Sequence, residues 1–277
     1  MNVDPLIQNA LRHWGARAVP FSDQSGEAPF AWPGWEQALR RLNQTAALRS
    51  LMLLTGDNGV GKSALASHWL TGLETKAYSP LVITQATLSP SGVLAVLARK
   101  LGQSASSLRS RTLHRLEEAF KELGRLTPVL VLDEAQLYPP GALEEVRLLL
   151  GLNLARQPVF ALVLIGDNYL HDTLRLQQHK ALYSRISVQY QLPTLDRGQI
   201  EAYLAHGLRQ VGLERPCFQP AAIELLAGGS GGIPRLLNLL ARAAWLACAQ
   251  VGLNTIGPEH VQSALELVPA ARDRLNP

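Results

Sequence analysis

Two short stretches hold residue types that could do chemistry together. Gly56 to Ser63 reads Gly-Asp-Asn-Gly-Val-Gly-Lys-Ser and fits G-x-x-x-x-G-K-[ST] at every defined position. Gly56, Gly59 and Gly61 lack a Cβ, so the backbone can turn sharply and come close to a ligand. The N–H groups from Gly56 through Asp57, Asn58 and Val60 to Ala64 would then point at an anion, with the positive end of a helix behind them. That chemistry is phosphate binding. Lys62 would reach the β- and γ-phosphates of a nucleotide, and the Ser63 hydroxyl would hold Mg²⁺. Further along come Asp133 and Glu134. The first is placed to hold Mg²⁺, usually through water, and the second to polarise the water that attacks the γ-phosphate.

The flanking elements position these groups. Leu51 to Leu54 is a wholly apolar run, suited to a strand buried on both faces of a parallel sheet. Leu65, Ala66, Trp69, Leu70 and Leu73 share one helical face just after the loop. Val129 to Leu132 is another buried strand, and Asp133 follows its carboxyl end, where open α/β sheets bind ligands. Pro80 to Thr84 and Pro158 to Ile165 read as further strands. The last of these ends in Gly166-Asp167-Asn168, where a polar side chain would lie beside Asp133 and could sense the γ-phosphate. Ser187 to Leu192 is a fifth, alternating strand. Helices are expected over 35–48, 93–101, 108–123 and 141–155, and partly over 169–180.

After Pro193-Thr194 the chain reads as helical throughout. Asp196 caps a helix reaching Val211, and Pro220 opens one to Ala227. A turn is expected over 228–232. Then come a long helix from Ile233 to Ala249, with Pro234 in its first turn, and a last one over 258–268. Residues 1–35 are expected to be irregular, broken by Pro5, Pro20, Pro29 and Pro33. Their aromatics (Trp14, Phe21, Phe30, Trp32 and Trp35) either staple this segment onto the core or offer a ring to a nucleotide base. The expected division is an N-terminal extension and first helix over 1–48, an αβ core over 49–193 and a helical domain over 194–277.

The 277 residues suffice for one large domain or two modest ones. With 47% hydrophobic and 17% charged residues, the chain can bury a sizeable core. A net charge of +4 permits a nucleic-acid partner without demanding one, because that signal needs clustering. The most basic stretch, 99–125, sets seven basic residues against three acidic ones. Arg109 and Arg111, beside the small-residue loop 104–107, could touch phosphates. The same residues fit a solvated helix face with local ion pairs equally well. Cys217 and Cys248 suggest a reducing compartment and no disulfide framework, each a small buried hydrophobe. The first residues carry no secretory pattern, and no run approaches the ~18 apolar residues of a membrane helix. A cytoplasmic protein without membrane contact is expected.

The order of these motifs resembles an AAA+ ATPase, most of all the ExeA-like group of bacterial secretion ATPases and the transposition regulators TniB, TnsC and MuB. The resemblance rests on Gly56–Ser63, Leu132-Asp-Glu-Ala-Gln136, Leu164-Ile-Gly166, Ser184-Arg-Ile186 and Gly232-Ile-Pro-Arg235, spanning 35–250. It implies an α/β fold, a three-layer αβα P-loop sandwich with a five-stranded parallel sheet, followed by a small all-helical lid. ATP and Mg²⁺ would be the cofactors. Asp167 or Asn168 would be the γ-phosphate sensor, Arg185 an arginine finger completing a neighbour's site, and Arg235 a second sensor from the lid. The group usually has Gln where this chain has Asp167. Like-charge repulsion disfavours an acid facing the γ-phosphate, so either Asn168 senses or hydrolysis is slow.

The resemblance also implies a partner. One expectation is a regulator of DNA transposition, assembling with ATP into rings or filaments on double-stranded DNA and recruiting or activating a transposase, with a target-selector protein as a further partner. The other is the ATPase of a secretion or envelope-assembly complex acting on proteins. Secretion members resemble longer chains with a membrane helix and a peptidoglycan-binding region after the lid. This sequence ends at Pro277 with neither, which favours the first expectation.

Overall fold

The computed structural model describes residues 4–22, 29–152 and 158–275. Its first helix, α1 (Pro5–Trp14), lies where irregular chain was expected. Pro5 starts this helix instead of breaking one. The missing N–H costs nothing in a first turn, and the Asp4 carboxylate accepts the Leu6 N–H at 2.8 Å.

The described residues gather into two compact units. One comprises Pro33–Asp57 and Lys62–Leu192. Its frame is a five-stranded, all-parallel sheet: β1 (Leu51–Thr55), β2 (Tyr78–Ile83), β3 (Thr127–Leu132), β4 (Ala161–Ile165) and β5 (Ile186–Gln191). The spatial order is β2-β3-β4-β1-β5. The wholly apolar runs take the centre, and every residue of β1 and β4 is buried. Register sets Leu132 against Leu164 and Leu164 against Leu53. The alternating β5 takes one edge, and β2 takes the other. On β2, Ala77 and Ile83 turn their carbonyls to Thr127 and Asp133 of the neighbouring strand. The period of two therefore points Pro80 outward, and Pro80 is exposed.

Helices cover both faces. Helix α2 (Pro33–Ala47) lies against β1, β3, β4 and β5 with Ala38 and Leu42 fully buried. The segment α3 (Lys62–Thr71) follows the phosphate loop. On the other face, α4 (Pro90–Lys100), α5 (Arg109–Glu122), α6 (Pro140–Leu150), α7 (Asn168–Arg175) and α8 (Lys180–Tyr183) succeed one another. Val93, Leu97, Leu116, Val146 and Leu149 from that layer meet Leu53, Leu81, Leu132 and Leu164 in one core. Each such burial is worth about 1.5–3 kcal/mol, which fixes where the strand ends stand. The helix expected over 141–155 stops at Leu150, with Gly151 as its C-cap, and residues 153–157 lie outside the described ones.

The other unit comprises the described residues of Met1–Trp32, Asn58–Gly61 and Pro193–Pro277. Its helices are α9 (Arg197–Gln210), α10 (Pro220–Ser230), α11 (Pro234–Gln250), α12 (Pro258–Leu267) and α13 (Pro269–Leu275), with α1 packed on α11. Asp196 caps α9 as expected, accepting the Gln199 N–H at 2.8 Å while its own N–H donates to Gln199 Oε1. Two expectations give way. Helix α13 follows the one expected to be last. Helix α10 also runs through Gly228 and Gly229, because a Cβ on Gly229 would lie 2.7 Å from Leu265 Cδ2. That glycine serves close helix packing, with the turn at Gly231 (φ +56°) and Gly232 (φ +73°).

The N-terminal aromatics staple rather than stand open. Trp14 stacks on Trp245 with centroids 5.8 Å apart and donates to its carbonyl. Phe21 packs on Phe218, and Phe30 meets Tyr203 edge-on. Trp35 belongs to α2, buried beside His68. Both cysteines are free and fully buried, and burial pushes the Cys248 thiol up to about 11. Among the described residues no helix is long and apolar enough to cross a membrane.

Candidate active site

The phosphate loop lies between β1 and α3, where its sequence put it. Its backbone uses the freedom that glycine gives: φ is +153° at Gly56, +86° at Gly59 and +108° at Gly61. Lys62 is buried. Its Nζ donates to the carbonyls of Gly56 at 2.8 Å and Asp57 at 3.1 Å. Burial lowers the Lys62 pKa, while the charges of Glu134, Asp133, Asp167 and Asp57 pull it back up. Four carboxylates thus converge on one ammonium, all within the sheet-bearing unit.

Asp133 and Glu134 follow β3. The Asp133 N–H still donates to the Ile83 carbonyl at 3.1 Å, so its backbone is locked to the sheet. Its Oδ1 accepts the Glu134 N–H at 2.9 Å. Glu134 takes a left-handed backbone, φ +51° and ψ +43°. For a residue with a Cβ this costs on the order of 1–2 kcal/mol, and such strain concentrates where chemistry is done. Ser63 and Asp133 line one cavity of about 550 Å³, floored by Pro80, Val82, Val131 and Ile165.

The end of β4 separates two expected alternatives. Asp167 is the N-cap of α7, its carboxylate accepting the Leu170 N–H at 3.2 Å. Asn168 instead reaches the phosphate loop, donating to Asp57 Oδ1 at 2.7 Å and accepting from Gln191 Nε2 at 3.1 Å. Arg185 stands elsewhere in this unit. A Cβ on Gly151 would lie 3.8 Å from both its terminal nitrogens, and its charge helps hold the Glu144 carboxyl below the ordinary value, after the Arg147 hydrogen bond and attraction.

Arg235, second residue of α11, belongs to the helical unit together with the loop tip 58–61. Its N–H donates to the Gly59 carbonyl at 3.2 Å, and a Cβ on Gly59 would lie 2.7 Å from Arg235 Cβ. Arg109 is engaged in a two-pronged ion pair with Glu145, at 2.9 and 2.7 Å. Arg111 is exposed in the first turn of α5.

Residues 46–174 match the sequence profile of the AAA domain, a span holding the whole phosphate loop, Asp133, Glu134 and the end of β4. Those residues are similar to an AAA domain. Over 232 residues it is 31% identical to General secretion pathway protein A of Aeromonas hydrophila, covering 80% of this chain and 41% of that protein. The chain therefore spans about two fifths of that relative's length. Among solved structures, Cdc6p from Pyrobaculum aerophilum matches at TM-score 0.71 and 22% identity, over 90% of this chain and 70% of that one. The Aeropyrum pernix ORC1 protein, solved in complex with DNA, matches at 0.66 and 22%, over 87% and 66%. The Thermotoga maritima RuvB Holliday junction branch migration motor matches at 0.59 and 19%, over 86% and 70%. These likenesses establish the expected fold: a three-layer α/β AAA+ P-loop arrangement on a five-stranded parallel sheet.

Within residues 46–174, the donor set suits a hard cation. Ser63 offers a hydroxyl and Asp133 a carboxylate on one cavity wall. Among the described residues no cluster of three or more His, Cys, Asp or Glu could hold a metal alone. Reading the sequence missed two polar groups, Gln136 and Gln191. Gln136 stood in the quoted Asp-Glu-Ala-Gln run without a role. Gln191 ends an alternating strand, and nothing local marks which of its glutamines reaches Asn168.

Proposed function

We propose that this chain binds and hydrolyses ATP with Mg²⁺, assembles with further copies on double-stranded DNA, and regulates transposition by recruiting or activating a transposase. The observation that carries the enzymatic part is the convergence of Lys62, Asp133 and Glu134 beyond the ends of β1 and β3, the two strands that flank β4. Lys62, satisfied by loop carbonyls, would exchange them for β- and γ-phosphate oxygens. Ser63 and Asp133 would hold Mg²⁺, which neutralises charge developing on the transferred phosphoryl group. Glu134 would orient and polarise the attacking water. Asn168, not Asp167, would sense the γ-phosphate, since the Asp167 carboxylate is spent on a helix cap. Arg235, tied by its backbone to Gly59, would bring a cation to the phosphates, and Arg185 would serve a neighbouring copy. The functional divisions we propose are an extension and first helix over 1–48, the ATPase core over 49–193 and the lid over 194–277, in a cytoplasmic protein.

The DNA part is supported by the basic stretch 99–125, in which Arg99, Lys100, Arg111 and Arg125 are exposed. A second reading, an ATPase of a secretion complex acting on proteins, is favoured by the identity to General secretion pathway protein A. Electron microscopy of the purified chain with a slowly hydrolysed ATP analogue, with and without double-stranded DNA, separates the two. Rings or filaments that need both ligands support the transposition regulator. Oligomers that need nucleotide and ignore DNA support the secretion reading. No nucleotide-dependent assembly under either condition defeats both.

A further inference from the structure

Gln136 sits two residues past Glu134, and the reading above gives it no work. Its amide Nε2 donates to Glu134 Oε2 at 2.7 Å. Its Oε1 accepts the backbone N–H of Asp167, at the end of β4, at 3.4 Å. These partners determine which way the amide faces. A backbone N–H can only donate and an ionised carboxylate can only accept, so a flipped amide would lose both bonds. Gly166 makes room for the arrangement, since a Cβ there would lie 2.6 Å from Gln136 Oε1. Glu134 itself is exposed on a left-handed backbone. Without a partner its long side chain would be spread over several rotamers.

We propose that Gln136 is a positioning residue for hydrolysis: it holds one oxygen of Glu134 and ties that carboxylate to the strand end that reads the γ-phosphate. The other oxygen, Oε1, is left to take the proton of the attacking water. The inference rests on the reading of Glu134 as the group that polarises this water. It adds that the backbone at Asp167, through Gln136, sets where Glu134 points. A shift at the end of β4 on nucleotide binding would then be felt at Glu134 without any contact between the two carboxylates.

The test is steady-state ATP turnover by the full chain, with binding of a fluorescent ATP analogue measured alongside. Gln136→Leu removes both hydrogen bonds. Gln136→Glu keeps the shape, removes the donor and adds a like charge. Each should lower kcat roughly ten- to a hundredfold, as misplaced catalytic groups do, with KM and analogue affinity changed less than about twofold. The deciding measurement is the double variant: in a Glu134→Gln background, Gln136→Leu should cost nothing further, because a residue acting through Glu134 has nothing left to position. Wild-type kcat in Gln136→Leu, or losses that multiply in the double variant, would overturn the proposal and leave Gln136 a structural residue. Absence of ATP turnover in the unmodified chain would overturn the ATPase reading itself, and this inference with it.

Discussion

At the scale of single residues, the site divides into groups whose spacing is fixed by chemistry and groups whose work depends on a neighbour. Lys62 is of the first kind. In the proposed function, replacing it by Ala would remove two charge-assisted contacts to phosphate, each worth about 1.5–3 kcal/mol, so nucleotide affinity should fall on the order of a hundredfold or more. Titration with a fluorescent ATP analogue checks this, and any DNA assembly should be lost together with binding. Glu134→Gln should keep binding and lower turnover to a small residual rate. The positions of both were legible because the glycine-rich loop and the acidic pair are short, contiguous patterns between recognisable elements. Asp167 is of the second kind. A carboxylate after a buried strand can face a ligand or cap the next helix, and only the Leu170 N–H shows that it caps. Asp167→Ala should therefore cost about 1 kcal/mol of stability, a fall in Tm of roughly 2–4 °C. Asp167→Asn should recover most of that loss while leaving turnover unchanged.

At the scale of elements, the strands were the most legible part, because an apolar run of five or six residues in a parallel sheet admits few other readings. The helices that escaped notice begin at proline. Pro5 and Pro269 look like breakers in a sequence and are helix starts in the fold, where a first turn needs no N–H from them. The glycines of α10 show the same ambiguity: packing against Leu265, not turn formation, explains Gly229. Gly232 does need its backbone. Its φ is +73°, and a Cβ would collide with the Leu195 carbonyl oxygen, whose own residue donates its N–H to the Gly232 carbonyl. Gly232→Ala should destabilise the helical unit by at least about 1–2 kcal/mol, read as a lower melting temperature.

The short helical turn before α8 makes a pH prediction. His179 is almost wholly buried, and burial lowers its pKa from 6.5 against the opposing charge of Glu144. The unfolded chain then takes the proton first as pH falls, so stability should drop as pH falls through about 6.5 toward the lower folded value. His179→Gln should flatten denaturant midpoints measured between pH 5 and pH 7, where the histidine effect is expected.

For the whole molecule, the questions are charge and company. Arg109 is pinned by Glu145, so of the two arginines first picked out for phosphate contact only Arg111 remains open. DNA affinity should fall steeply with salt and show little base preference, and Arg111→Ala should reduce the salt slope by about 1. Arg109→Ala should weaken binding less. Filter binding over a salt series decides between them, and a flat salt response would count against DNA altogether. The +4 total could not have shown this, because a sequence gives the number of charges and not which of them are already paired.

Pro80 carries a consequence for handling the protein at high concentration. The outer row of β2 faces solvent, and a bare strand rim invites another chain to zip onto it. With its nitrogen turned outward, Pro80 removes one donor from the middle of that row. Pro80→Val would restore an unbroken line of donors and acceptors at little cost to packing, since the residue is exposed. Light scattering on storage should then report growing particles from a chain whose melting temperature has hardly changed.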